Sequence, residues 1–174
     1  MPAVSIRPAT LADIPAITRI YAEAVNNGTA SFELEPPDEA EMARRMQALV
    51  GGGFSYITAE IGGALAGYAY AGPYRPRRAY RFSVEDSIYV DPRAQRKGVG
   101  RALLTRLIEE SERRGFRQMV AVIGDSAQTP SIEIHRALGF RMIGAIENVG
   151  YKFDRWLDTV LMQRALGPGS TTKP

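Results

Sequence analysis

The segment Ile88-Tyr89-Val90-Asp91-Pro92-Arg93-Ala94-Gln95-Arg96-Lys97-Gly98-Val99-Gly100-Arg101-Ala102-Leu103-Leu104 passes from an extended apolar stretch, through a basic glycine-containing loop, into a helix-forming run. Val99, Leu103, Leu104, Leu107 and Ile108 recur on one face, with Arg101, Glu109, Glu112 and Arg113 opposite and Gly115 as the stop. The spacing predicts a helix over 99–113. A strand that feeds such a loop and helix aims unpaired backbone N–H groups, the positive helix end and cationic side chains at one point, which suits a phosphate. The common nucleotide loops do not fit: Leu103 stands where a dinucleotide fingerprint needs its third glycine, and no G-x-x-x-x-G-K-[ST] run occurs.

Upstream, Tyr80 to Val90 reads as a strand, with Phe82, Val84, Ile88 and Val90 on one face and Ser83, Glu85, Ser87 and Tyr89 on the other. Asp86 breaks the apolar alternation, so a bulge is expected there, the alternative being a carboxylate buried with a partner. Before it, Phe54–Glu60 and Ala64–Ala71 read as hairpin strands joined at Ile61-Gly62-Gly63. Val4–Ile6 is a short opening strand. Thr10 and Asp13 have capping-box spacing ahead of a helix that ends at Asn26-Asn27-Gly28. Asp38 caps a second helix, with Met42, Met46, Leu49 and Val50 expected on its buried face and Gly51-Gly52-Gly53 at its end. Downstream, Met119–Ile123 is a doubly buried strand, a short helix runs from Thr129-Pro130 to Gly139, and Phe140–Ile146 and Tyr151–Met162 close the sheet. These readings predict a single mixed α/β domain over residues 1–166 and a flexible polar tail over 167–174.

Twenty-two Lys and Arg against nineteen Asp and Glu in 174 residues leave a net charge of +3. That balance favours a small anion over DNA, and there is no aromatic-basic array of the kind that binds nucleic acid. Absence of cysteine and a single histidine exclude disulfides, thiolate metal sites and a thiol nucleophile, so no metal is expected. No apolar run approaches the roughly 20 residues of a membrane span, and Met1–Arg7 lacks a signal-peptide stretch, so a cytoplasmic protein without membrane contact is expected.

Gln95-Arg96-Lys97-Gly98-Val99-Gly100 matches the Q/R-x-x-G-x-G/A pyrophosphate pattern of the GNAT-type N-acetyltransferases, and the element order is similar to theirs along nearly the whole chain. Gly72-Pro73-Tyr74, Arg75, Ala79-Tyr80, Val84-Glu85-x-Ser87-x-Tyr89-Val90, Val120–Gly124, His135-x-Ala137-Leu138-Gly139-Phe140 and Gly150-Tyr151-Lys152 further resemble the phosphinothricin and methionine sulfoximine acetyltransferases. The resemblance implies the GNAT fold: a mixed, mostly antiparallel sheet of about seven strands with about four helices, splayed between the fourth and fifth strands. It implies acetyl-CoA as donor, the amine of a small amino-acid analogue as acceptor, detoxification as the role and a homodimer whose interface includes Trp156.

Site roles follow from the same resemblance. The backbone of Ile88, Tyr89 and Val90 would meet the pantetheine arm, and Gln95, Arg96, Lys97, Gly98, Val99, Gly100 and Arg101 the pyrophosphate. Glu85 matches the general base, which suits a reaction in which an ammonium must lose its proton before attacking a thioester. The Val90 N–H is the expected oxyanion donor, and transfer is expected to be direct, in keeping with the absent cysteine. Arg75 and Arg81 are candidates for an acceptor carboxylate or phosphinate, Asp86 is counted with the acceptor site, and Phe32 is a candidate wall. Gln128 stands where relatives carry a pantetheine-binding asparagine, ahead of Ser131. His135 falls where many acetyltransferases place a tyrosine that protonates the departing thiolate. Other readings are a protein or peptide amino-terminal acetyltransferase and a non-catalytic acyl-CoA sensor.

Overall fold

The computed structural model describes residues 3–174; Met1 and Pro2, the start of the expected domain and of the stretch read as lacking a signal peptide, lie outside the described residues. In chain order the main elements are β1 (Val4–Pro8), α1 (Ile14–Asn27), α2 (Glu39–Gly51), β2 (Tyr56–Ile61), β3 (Ala64–Pro73), β4 (Ser83–Val90), α3 (Val99–Arg113), β5 (Gln118–Gly124), α4 (Thr129–Ala137), β6 (Arg141–Lys152) and β7 (Arg155–Ala165). The strands form one seven-stranded sheet in the order β1-β2-β3-β4-β5-β7-β6. β4 and β5 run parallel, and every other described pair is antiparallel.

Local chemistry starts the helices where the capping residues stand. The Thr10 N–H donates to the Asp13 carboxylate at 2.7 Å, and Asp38 accepts from the Glu41 N–H at 2.8 Å. Ile14, Ile17, Tyr21 and Val25 of α1, with Met42 and Met46 of α2, bury one face of the sheet around Tyr56 and Tyr68. On the other face Leu103, Leu104 and Leu107 of α3 pack on Ile57, Ala69, Ala71, Val84 and Met119. Val50 departs from the expected buried stripe and lies exposed at the end of α2, because the chain turns away at Gly51.

Three further expectations are corrected. β4 begins at Ser83, since Arg78–Tyr80 folds into a short 3₁₀ turn. It has no bulge: its register with β3 runs without a shift from Val84↔Pro73 to Val90↔Gly67. Asp86 instead points into the α4 side and meets the ring Nε2 of His135 at 2.9 Å, both side chains buried. The boundary between the closing strands moves: β6 runs on past Ile146 to Lys152, taking in Tyr151 where the second strand was expected to begin. The chain turns at Phe153-Asp154, both left-handed (φ 53° and 56°), and β7 runs from Arg155 to Ala165, while Asn148 is absorbed in a register shift between Ile146 and Gly150. The segment 167–174 lies against Arg117, whose guanidinium donates to Gly169 O, Thr172 Oγ1 and Lys173 O.

Candidate active site

The opening in the sheet follows from the pairing. β4 pairs with β5 only from Ser83↔Gln118 to Asp86↔Ala121, yet it stays paired with β3 to Val90, and β5 stays paired with β7 to Gly124. The two central strands therefore part after Asp86, as expected between the fourth and fifth. A cavity of about 80 Å³ lies in the gap, lined by Asp86, Ser87, Ile88, Ala121, Gln128 and His135 among others.

The backbone of β4 is differentiated by the antiparallel alternation. Tyr74 N–H donates to Ser83 O and Asp91 N–H to Ala66 O, which places 85, 87 and 89 among the residues that exchange bonds with β3. Residues 84, 86, 88 and 90 turn their N–H and C=O groups toward β5. Beyond Asp86 there is no β5 partner, so Ile88 and Val90 present free backbone groups to the gap while those of Tyr89 are spent on Tyr68.

Below the gap, Arg96 (φ 60°) and Gly98 (φ 82°) adopt left-handed backbone, and Gly98 caps α3 with its carbonyl taking the Ala102 N–H at 3.0 Å. The N–H groups of Val99, Gly100 and Arg101 precede the first helical bond and have no intrahelical acceptor. Gln95, Arg96, Lys97 and Arg101 are exposed around them. Lys97 Nζ donates to Arg93 O, and Arg93 is engaged with Asp91 at 2.8 Å, as is Arg19 at 2.9 Å, so Arg93 braces the turn from below. The donor set suits a pyrophosphate, and the free edge of β4 suits an amide-bearing arm.

Glu85 lies on the α1/α2 face, opposite Gly72 of β3 and Val120 of β5. Burial, reinforced by the neighbouring Asp86 charge and opposed by Arg75, pushes its carboxyl from 4.5 up to about 7. Arg75 stacks on Tyr74 at 5.2 Å, whereas Arg81 sits over Phe82 at 4.4 Å and reaches Arg78 O. Asp86, expected with the acceptor residues, lies on the opposite face from Glu85 and lines the gap. His135 has both ring nitrogens engaged: Nδ1 with Ser131 O at 2.7 Å and Nε2 with Asp86. A carbonyl only accepts, so Nδ1 carries a proton. Desolvation works against a charged ring, but the Asp86 carboxylate outweighs it and raises the imidazole above its usual range.

Phe32 lies across the far rim. Its ring presses on Gly124 and Gly150, where a Cβ at either residue would collide with it. The loop that carries Phe32 is tied down by Lys152, to which the sequence assigned no role, and by Gln128, which was expected at the pantetheine arm. Lys152 Nζ, buried, donates to Gly28 O at 2.9 Å and Ser31 O at 2.8 Å. Gln128 Nε2 donates to Thr29 Oγ1, which in turn donates to Asp125. The signal for Lys152 was its place in Gly150-Tyr151-Lys152, but a lysine bonded only to carbonyls leaves no charge pattern to read.

Comparison with known proteins agrees with this architecture. The model of the acetyltransferase (GNAT) family matches residues 17–140. The chain is 53% identical over 162 residues to a phosphinothricin N-acetyltransferase of Alcaligenes faecalis, covering 93% of this chain and 82% of that one. It is 41% identical over 165 residues to an L-methionine sulfoximine/L-methionine sulfone acetyltransferase of Pseudomonas paraeruginosa, covering 94% and 95%. The crystal structure of a phosphinothricin acetyltransferase from Sinorhizobium meliloti in complex with AcCoA superposes with a TM-score of 0.96 at 51% identity, covering 98% of this chain and 92% of that one.

Proposed function

The chain belongs to the acetyltransferase (GNAT) family, and from that premise we propose that it transfers acetyl from acetyl-CoA to the amine of a small amino-acid analogue of the phosphinothricin, methionine sulfoximine or methionine sulfone type. The observation that carries the reading is the placement of a half-buried Glu85, raised to about 7, on the face opposite α3 and beside the gap in the sheet. A carboxyl of that affinity takes a proton from an ammonium at neutral pH and passes it on readily.

Acetyl-CoA, when bound, supplies an electrophilic thioester carbonyl. The chain would hold it with the loop Gln95–Arg101, the free backbone groups of Ile88 and Val90, and Gln128 and Ser131 at the start of α4. Glu85 removes the proton from the acceptor ammonium. The Val90 N–H is the donor placed for the developing oxyanion. Arg75, within the field of Glu85, is the better placed of the two arginines for the acceptor carboxylate; Arg81 is occupied with Phe82 and Arg78. Phe32 walls the acceptor side. The engaged ring of His135 supports a role in holding Asp86 at the gap more than one in protonating the thiolate.

The biological reading is resistance to toxic amino acids by a cytoplasmic homodimer. The test is thiol release from acetyl-CoA with phosphinothricin, methionine sulfoximine and methionine sulfone. Turnover of at least one is expected; no turnover with any of them, by protein that binds acetyl-CoA in calorimetry, overturns the reading.

A further inference from the structure

The structure divides the cations that the sequence gathers at the cofactor loop. Among the described residues, Arg96 and Arg101 make no ion pair and stand exposed for a ligand. Arg93 is already committed. Its backbone N–H and its Nε donate to Asp91 Oδ1 at 2.9 and 3.1 Å, and its Nη2 donates to Oδ2 at 2.8 Å. Arg19 of α1, 72 residues earlier, donates to the same Oδ2 at 2.9 Å. All four contacts fall on a side chain only 4% exposed, while both guanidiniums are more than half exposed. Asp91 is thus the fixed member of the group. Arg93 first, and then Arg19, hold its carboxyl well below the usual carboxylate range against the cost of burial.

Asp91 stands where two parts of the site join. It follows Val90 directly, and its own N–H donates to Ala66 O at 2.9 Å, past the last pair of the β3–β4 register. Its carbonyl accepts from the Ala94 N–H at 2.8 Å, which starts the turn Pro92–Ala94, and Ala94 is buried in the core. Arg93 O then accepts from Lys97 Nζ at 2.8 Å, one residue before Gly98 turns left-handed and opens α3. A run of bonds therefore passes from α1 through Asp91 and Arg93 to Lys97. It leaves Arg96, Arg101 and the first N–H groups of α3 unengaged. A carboxylate beside a pyrophosphate site repels the ligand, so its charge gives it no direct use there.

We propose that Asp91 is a positioning residue for the donor half of the reaction. With Arg19 and Arg93 it sets the course of the chain from Val90 into the loop, and so the aim of the Val90 N–H and of the pyrophosphate donors, without touching the ligand. The inference rests on the acetyltransferase reading and adds to it a contact from α1 that no donor-side pattern in the sequence announced.

Asp91→Asn keeps the shape and removes the charge. By charge alone this variant would bind acetyl-CoA more tightly, because an anion leaves and two arginines are released. Through position it binds more weakly: a rise of about tenfold in the calorimetric Kd for acetyl-CoA is expected, with kcat at saturating donor down by a similar factor and the acceptor KM within about twofold. Arg19→Ala, which changes nothing in the loop itself, should raise the same Kd about threefold. Arg93→Ala, Asp91→Asn and the double variant should weaken binding to about the same extent, since the two residues act as one unit. Circular dichroism first establishes that each variant is folded. Native or tighter affinity in Asp91→Asn, or losses that add in the double variant as they would for a direct phosphate contact by Arg93, overturns the positioning role. Should Asp91→Asn not fold, the exposed Arg19→Ala and Arg93→Ala decide, and native affinity in both overturns it equally. A native chain that binds no acetyl-CoA would instead remove the reading beneath.

Discussion

Glu85 has a stability cost that accompanies its chemical use. Its folded-state affinity, about 7, lies above the 4.5 of an unburied carboxyl, so the stability it contributes is fully present below about 4.5 and is lost as pH rises through about 7. Catalysis needs the opposite form, the carboxylate. Activity is therefore expected to rise with pH on a limb centred near 7, and Glu85→Gln to lose roughly a hundredfold or more in kcat/KM and to lose that limb. The same variant should be more stable than the native chain at about pH 8 by roughly 2 kcal/mol, read from urea unfolding. A variant that loses activity without gaining stability would mean that Glu85 is not held in the protonating environment described. His135 presents the converse case. Removing it as His135→Ala leaves Asp86 buried without its partner, and a loss of about 3 kcal/mol is expected in the same unfolding experiment. The sequence signalled Glu85 through the strand alternation and the family resemblance, but it could not separate a bulge from a buried pair at Asp86. The partner that decides the question is 49 residues further on and reaches Asp86 only once α4 folds over the gap.

At the scale of elements, what was legible had a local cause. The capping residues Thr10, Asp13 and Asp38, the apolar stripe of α3 and the glycine loop ahead of it all act within one or two helical turns, and each stands where it was read. Gly98 is the sharpest of these, since its left-handed backbone both ends the loop and caps α3. Gly98→Ala is expected to cost about 1 kcal/mol in stability and to raise the KM for acetyl-CoA several-fold, with the acceptor KM much less affected. What was not legible depends on chain segments that meet late. Lys152 is more than a hundred residues from Gly28 and Ser31, and nothing in their residue types announces that a buried ammonium will hold those carbonyls. The consequence is a loop in which one side chain holds two carbonyls, Gly28 O and Ser31 O, beside the bonds that Gln128 and Asp125 make with Thr29. Lys152→Met is expected to speed amide exchange over 28–33 and raise the acceptor KM about tenfold, with acetyl-CoA affinity kept, because Phe32 loses its fixed seat on Gly124 and Gly150. Unchanged exchange in that loop would assign its order to Gln128 and Asp125 instead.

The whole molecule is asymmetric at its two sheet edges. β1 is five residues long and carries Arg7, ion-paired to Asp13 and Glu60, which blunts that edge. The opposite edge is β6, twelve residues long, and the β6–β7 hairpin leaves Ile146, Val149, Tyr151, Phe153 and Trp156 exposed, Trp156 at 62%. So much apolar and aromatic surface on one long edge is what a monomer avoids and an interface uses. The homodimer we propose would cover it through a two-fold contact in which the same hairpin serves both copies. The position of that hairpin links assembly to chemistry: Gly150, near its turn, seats the Phe32 ring, and Lys152 two residues on holds the loop that bears it. Covering the strip should therefore stiffen the acceptor wall as well as hide apolar surface. Trp156→Ala combined with Ile146→Asp is expected to convert a dimer into a monomer in sedimentation velocity at micromolar protein. It should also lower kcat/KM for the acceptor by about tenfold while leaving acetyl-CoA binding in calorimetry within about twofold, since the loop Gln95–Arg101 and the free edge of β4 lie on other elements. A native chain that sediments as a monomer refutes the dimer. A dimer that the double variant dissociates with no change in acceptor kinetics would keep the interface but sever it from the site, leaving Lys152 and the glycine seats alone to set the wall.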